Sequence, residues 1–221
     1  MSTLSFDDTD RARAALRQRV ADVGFAVLAP APSLAAERVR LDPWGVTESL
    51  FDAPVCMVER QPIRPVPGAT SFAAGSGDAP LHTDSQPFDG VPAHVQVMAC
   101  RAPAARGGAS LLVDGFALAE AIAARDPALF SELLSVRRTA RFYFGTFVVP
   151  TLSIVGGDLF ITHPPVSRDP IGERLSRAMP PPLRVALREG ETLVVDNHRM
   201  LHGRRAIGGE GDRYLERFWI K

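Results

Sequence analysis

Glu191-Thr192-Leu193-Val194-Val195-Asp196-Asn197-His198-Arg199-Met200-Leu201-His202-Gly203-Arg204 begins as an apolar strand and ends on groups that bind metals. Glu189-Gly190 reads as a turn, so the strand runs from Glu191 to Asp196. The chain then leaves the apolar interior at Asp196-Asn197 and presents His198 and His202. A short strand with its polar groups gathered at one end suits a sheet whose open mouth carries the chemistry.

Working outward, most of the chain after residue 80 reads as short strands. Ala93 to Cys100, Ser110 to Val113, Val136 to Phe144, Phe147 to Val155, Asp158 to Thr162, Leu183 to Leu187 and Arg213 to Ile220 are predicted strands. Helical periodicity predicts helices over 115–125 and, opened by Asp126-Pro127, through Leu134. Pro164 to Pro182 reads as a loop with at most one short helix. Near the start, Thr9 or Asp10 caps a helix over about residues 10 to 22, Gly24 stops it, and Phe25 to Leu28 is a buried strand. Ser33 offers a helix start through Leu41, and Thr47 to Phe51 another turn. Val55 to Val66, broken by Pro62 and Pro65, reads as an edge strand. Nineteen prolines and eighteen glycines favour turns over a helical bundle. The expected fold is mainly β with flanking helices, a double-sheet jelly roll with helical support on one side, in one domain spanning residues 1–221.

A second stretch, Pro80-Leu81-His82-Thr83-Asp84, supplies partners for His202. On an extended segment His82 and Asp84 point to the same side, so both can face one ion. The five histidines are His82, His94, His163, His198 and His202, and His202 is the best third ligand. Two imidazoles and one carboxylate leave coordination positions open, an arrangement suited to Fe(II), and also to Mn(II) or Zn(II). Arg213 and Arg217 share one face of the last strand, and a guanidinium suits a carboxylate. Gly107-Gly108-Ala109-Ser110 offers a tight turn and a hydroxyl for that carboxylate. Asp196 and Asn197 are candidates to orient the imidazoles.

Composition excludes several classes. Formal net charge is zero, which gives no electrostatic footprint for nucleic acid or an anionic membrane. Two cysteines, Cys56 and Cys100, without a CxxC, argue against a disulfide framework or thiolate zinc site. The polar start lacks an apolar h-region, and no apolar run is long enough to span a bilayer. The expected compartment is the cytoplasm. Oligomeric state is not legible.

These motifs together resemble the taurine dioxygenase-like superfamily of Fe(II)/2-oxoglutarate oxygenases. Gly107 to Phe116 and Asp196 to Arg204 look especially like its γ-butyrobetaine/trimethyllysine hydroxylase branch. The resemblance implies a double-stranded β-helix of the clavaminate synthase-like kind. It implies iron on His82, Asp84 and His202, and 2-oxoglutarate with its distal carboxylate on Arg213 and Ser110, consumed with O2. Arg217 matches a second arginine near cofactor or anionic substrate in several members. Trp219 falls where the branch has an aromatic residue lining a quaternary ammonium pocket, and a cation–π role follows from that match. Ser85-Gln86-Pro87-Phe88 lacks the branch's other aromatics.

The implied activity is hydroxylation, desaturation or cyclisation at an unactivated C–H of a small metabolite, anionic or amino-acid-like. Arg217, Trp219, Gln96 and Gln86 are the candidate substrate contacts; a carrier-protein-bound substrate stays open. Residues 67–80 and 163–182 are candidate lids. Two other readings remain at this stage: a zinc-dependent hydrolase on the same three ligands, and a non-catalytic metal- or ligand-binding jelly roll.

Overall fold

The computed structural model describes residues 3–4, 10–30, 57–84, 93–142, 145–155, 157–165, 169–208 and 213–220. The helix expected from Ser33, the turn at Thr47 to Phe51, and Gln86 lie outside the described residues.

In chain order the first elements are α1 (Asp10–Val23), β1 (Phe25–Leu28), β2 (Met57–Ile63), β3 (Ala79–His82), β4 (Val95–Ala102), β5 (Arg106–Gly107) and β6 (Ser110–Asp114). There follow α2 (Gly115–Arg125), α3 (Pro127–Ser135), β7 (Arg138–Phe142), β8 (Gly145–Val149), β9 (Leu152–Val155), β10 (Asp158–Ile161) and α4 (Pro170–Ala178). The chain ends with β11 (Leu183–Val185), β12 (Thr192–Asp196), β13 (Met200–Arg204), β14 (Ile207–Gly208) and β15 (Tyr214–Ile220).

Two antiparallel sheets carry the architecture. The larger has strand order β1-β12-β4-β15-β2 and the smaller β11-β6-β13-β3. Alternation along each strand sorts side chains into layers. Leu193 and Val195 of β12, Met98 and Cys100 of β4, Leu112 of β6 and Leu215 of β15 fill the space between the sheets. Their neighbours face outward: Val194, Val97 and Phe218 pack with Leu16 and Val20 of α1. Each such fully buried side chain contributes roughly 1.5–3 kcal/mol. On the other outer face, Val113 and Leu201 meet Leu118, Ile122, Leu129, Leu133 and Leu175 from α2, α3 and α4. The fold is the double-stranded β-helix expected from the sequence, but helices cover both outer faces where the sequence suggested support on one side, because the outward residues of both sheets are apolar and need covering.

The chemistry for each helix start is local. The Asp114 carboxylate accepts from the Phe116 and Ala117 amides and caps α2. Asp126 and Asp169 cap α3 and α4, each followed by proline. Arg199, unremarked in the sequence, donates to both Asp114 oxygens and to the Ala21 and Asp22 carbonyls, tying the end of α1 to the start of α2.

Two differences from the sequence-based expectation have physical causes. The strand predicted over Phe147 to Val155 is two strands, β8 and β9, separated at Pro150-Thr151. Proline has no N–H for the ladder, and the Thr151 hydroxyl accepts from Arg138 at 2.6 Å. The motif stretches around His82 and His202 are themselves strands, β3 and β13, and they pair directly. Proline, glycine and charged residues hid that pairing from a reading by apolar alternation.

Candidate metal centre

Strand pairing places the two imidazoles opposite each other. His202 on β13 is the register partner of His82 on β3, and their ring centroids stand 4.5 Å apart. Gly203 permits the approach: a Cβ there would lie 2.7 Å from the Ala79 carbonyl oxygen. His82 Nδ1 donates to the Pro80 carbonyl at 2.7 Å, which leaves the Nε2 lone pair for an ion. Nε2 of His82 is 3.3 Å from Asp84 Oδ1, and Nε2 of His202 is 3.4 Å from Asp84 Oδ2. The three donors lie within 4.8 Å of one another, close enough for one ion to gather two imidazoles and a carboxylate.

Asp84 is held on one side. Its Oδ2 accepts from Arg217 Nη1 at 2.7 Å, from Trp219 Nε1 at 2.8 Å and from the Gln96 side-chain amide. Oδ1 is left toward His82. Burial raises the Asp84 carboxyl, but the Arg217 charge and the two histidines outweigh it and hold it well below the ordinary carboxylate range. Burial pushes His202 down, so its imidazole is neutral and able to ligate near pH 7. The backbone is fixed as well: Asn197, fully buried, accepts from the Asp84 amide at 2.8 Å and donates to the Asp84 and Ala93 carbonyls. Asn197 thus positions the carboxylate ligand's main chain rather than an imidazole. Asp196 instead accepts from the His198 and Arg199 amides in a turn.

A cavity opens beside the histidines. Gln96, Ser110, Arg204, Arg213 and Arg217 line it together with both histidines. Arg213 is 4% exposed, and its Nη1 has no hydrogen-bond partner. Burial, and then the charge of Arg204, lowers the Arg213 guanidinium to about 10. A buried cation without a counterion is costly, and an anion at that end of the cavity would relieve it. Gly108 has φ +66°, and a Cβ there would press on Arg213 Cδ at 3.1 Å. The glycine in this turn therefore has a steric reason.

Trp219 sits at the site, buried, with the Arg217 guanidinium 4.1 Å above its ring. That ring face carries the protein's own cation. Gln96 lies against Asp84 and His202, 3.3 Å from the latter's Nε2. Ser110 lines the cavity beside Arg213. Sequence reasoning missed Thr83 and His163, which lock the turn after His82: the Thr83 amide donates to the His163 carbonyl, and the His163 amide to the Thr83 hydroxyl. Neither carries a sequence signal, because the bonds join residues 80 apart.

Burial pushes the His163 imidazole down to about 4. The unfolded chain, with His near 6.5, binds that proton first, so stability falls as pH drops from about 6.5 toward 4, by up to about 3 kcal/mol. Denaturant midpoints measured between pH 7 and 5 should fall more steeply for the native chain than for His163→Leu.

A second cluster, His94, Asp196 and His198, also brings ligand atoms together. Its two rings stack at 4.3 Å with planes 4° apart. In-plane lone pairs on parallel rings do not meet at one ion, so this cluster lacks the geometry of the first.

The fold has solved counterparts. An asparagine oxygenase in complex with Fe(II), 2S,3S-3-hydroxyasparagine and succinate superposes with TM-score 0.68 at 18% identity, covering 95% of this chain and 78% of that one. The non-heme iron oxygenase OrfP, in complex with Fe, succinate and (3R,4R)-dihydroxy-L-Arg, gives 0.67 at 16% identity, with coverages of 96% and 81%. PvcB, an Fe, alpha-ketoglutarate dependent oxygenase from an isonitrile synthetic pathway, gives 0.65 at 18%, with coverages of 94% and 79%. At these identities the likeness speaks for the fold. The family model for taurine catabolism dioxygenase TauD, TfdA family, matches residues 3–179. That span holds His82, Asp84 and Ser110 and ends before His202 and Arg213, which the folded geometry brings back to the same cavity. With most of its length matched, the chain belongs to the TauD, TfdA family of dioxygenases.

Proposed function

We propose that this dioxygenase holds Fe(II) through His82 Nε2, Asp84 Oδ1 and His202 Nε2, and uses 2-oxoglutarate and O2 to oxidise a C–H bond of a small amino-acid-like metabolite. The observation that carries the proposal is the shared cavity: His82 and His202, which gather with Asp84 into one donor set, line it together with the buried Arg213, whose Nη1 has no partner among the described residues. Iron with 2-oxoglutarate supplies the oxidising chemistry, in which O2 is consumed and the 2-oxo acid leaves as succinate and CO2. The protein's part is to bind, orient and exclude water.

In this reading Arg213 and Ser110 receive the distal carboxylate of 2-oxoglutarate. Gln96 and Trp219 fix Asp84 so that one carboxylate oxygen faces the ion. Arg217 lines the same cavity, and its Nε is buried without a partner, which suits a substrate carboxylate. A quaternary ammonium substrate, as in the γ-butyrobetaine branch, fits less well, because Arg217 covers a face of the Trp219 ring and adds positive charge. The outcome proposed is hydroxylation, with desaturation or cyclisation as variants of the same C–H oxidation. A free amino acid supplies the carboxylate that Arg217 would meet, and a carrier-bound amino acid would leave Arg217 without it. A buried, unbridged Cys100 accords with a reducing cytoplasm, and no helix among the described residues is long and apolar enough to cross a membrane.

The test is succinate formation by the iron-loaded protein with 2-oxoglutarate, O2 and a panel of amino acids and their carboxylate-free amines. Turnover should follow the carboxylate. Arg217→Gln should raise KM for the active amino acid by about tenfold or more with a smaller change in the KM for 2-oxoglutarate. Preference for the amines, or zinc-supported turnover without 2-oxoglutarate, would refute the proposal.

A further inference from the structure

Arg204 is the residue in this cavity whose position the metal centre does not explain. It follows His202 by one alternation of β13, so both face the cavity, and it pairs in register with Ser110 of β6. It is 6% exposed. Its Nη1 donates to the Phe72 carbonyl at 3.0 Å, and its Nη2 to the Gly75 and Gly77 carbonyls at 2.7 Å each. Its Nε is buried with no partner. All three acceptors are neutral carbonyls. The nearby acidic group, Asp78, accepts from the Ala206 amide and stands 3.6 Å from Arg205. The 72–77 loop therefore rests on a buried guanidinium that lacks a hydrogen-bonded carboxylate.

A second such guanidinium, Arg213, lines the same wall, and each carries an unpartnered buried N–H. Two buried like charges repel in a medium of reduced dielectric. A carboxylate entering between Arg213 and Ser110 lowers the cost of keeping Arg204 where it is, and so strengthens its hold on the loop. By linkage, a loop held in place favours that carboxylate by the same factor. The loop matters to the site because Phe72 lines the cavity and its ring centroid is 6.3 Å from that of His82.

We propose that Arg204 is a positioning residue that couples occupancy of the distal carboxylate site to the 72–77 loop, so that 2-oxoglutarate itself fastens the Phe72 wall of the substrate cavity. The inference rests on the assignment of that end of the cavity to 2-oxoglutarate. It assigns Arg204 two tasks at once: a second positive charge beside Arg213, and a three-carbonyl clamp.

The experiment is amide hydrogen exchange on the anaerobic Fe(II)-loaded chain, alone, with 2-oxoglutarate, and with 2-oxopentanoate. The latter has the same chain length and the same iron-chelating end but no distal carboxylate. The reporters are the amides of Ala69 and Gly75, bonded to Val66 and Ser71, and that of Ile207, bonded to the Ser76 carbonyl. 2-Oxoglutarate should slow them by at least about fivefold, the lower end of ordinary coupling; 2-oxopentanoate should leave them unchanged while still giving the visible chelate band. Arg204→Lys keeps the charge but cannot span three carbonyls, so it should retain 2-oxoglutarate affinity within a few-fold and lose the protection. Arg204→Gln should lose both. Equal protection by the two acids in the native chain, or undiminished protection in Arg204→Lys, overturns the proposal. If 2-oxoglutarate gives no chelate band with the native chain, the cosubstrate assignment has failed instead, which the exchange data alone would not have revealed.

Discussion

Replacing Asp84 with alanine should abolish Fe(II) binding and also destabilise the metal-free fold by about 3–5 kcal/mol, the cost of breaking a buried ion pair from one side. The two effects have separate origins. The metal loses its carboxylate ligand. The fold loses the acceptor shared by the buried Trp219 and Gln96 and the half-buried Arg217. Arg217 would keep its bond to Gln61 but no longer face an anion. An ordinary surface carboxylate would show the first effect at most weakly and not the second. The stabilisation also has a pH signature. The Asp84 carboxyl is held low in the folded state, so its contribution is fully present above the ordinary carboxylate value near 4 and is lost only as pH falls further. Denaturant unfolding of the metal-free native and Asp84→Ala chains at pH 7, beside metal stoichiometry, checks both parts. Loss of metal with unchanged unfolding free energy would mean that Arg217 does not depend on Asp84 for its charge balance.

Arg213→Met should behave oppositely. Arg213 is buried with an unpartnered Nη1 and a neighbouring cation in Arg204. Its replacement removes an uncompensated charge, so the fold without cosubstrate should be as stable as the native chain or slightly more so. The cost appears in binding: 2-oxoglutarate affinity should fall by roughly 2 kcal/mol or more, about thirtyfold, because a buried charge-assisted contact is lost. Iron binding should be unchanged. Arg213→Lys should recover part of the affinity but not the two-point geometry. Anaerobic titration of 2-oxoglutarate into the iron-loaded variants, with thermal unfolding alongside, separates these effects. Native-like affinity in Arg213→Met would remove Arg213 from the role proposed for it.

The same contrast explains what could be read from the sequence. The strands were legible as short apolar runs, but β1, β6 and β12 are buried on both faces, so the sequence did not say that Val194 and Val97 face outward and Leu193 and Met98 inward. α2 was legible from its apolar periodicity and α3 from Asp126-Pro127, while the Asp114 and Asp169 caps went unread. The residue types at the metal centre were legible because few side chains ligate iron and His82 and Asp84 stand two apart, although Asp84 lies in the bend just past β3 rather than on the strand. Three features were not. The pairing of β3 with β13 has no apolar signature, since Pro80, Gly203 and Arg204 occupy it. The supports of Asp84, Gln96 of β4, Trp219 of β15 and Asn197 after β12, stood out in the sequence as substrate contacts or an imidazole partner, and only the fold shows that they hold the carboxylate. Arg204 reads as one more strand-end arginine until its three carbonyl partners, 127 to 132 residues away, are known.

The most direct test adds Fe(II), then 2-oxoglutarate, to the metal-free protein without oxygen and records the visible spectrum. A weak charge-transfer band should grow to one equivalent in the native chain and be absent from His82→Ala, Asp84→Ala and His202→Ala. A folded native chain that binds iron yet gives no band with saturating 2-oxoglutarate, or a band of native strength in any of the three variants, would contradict the account.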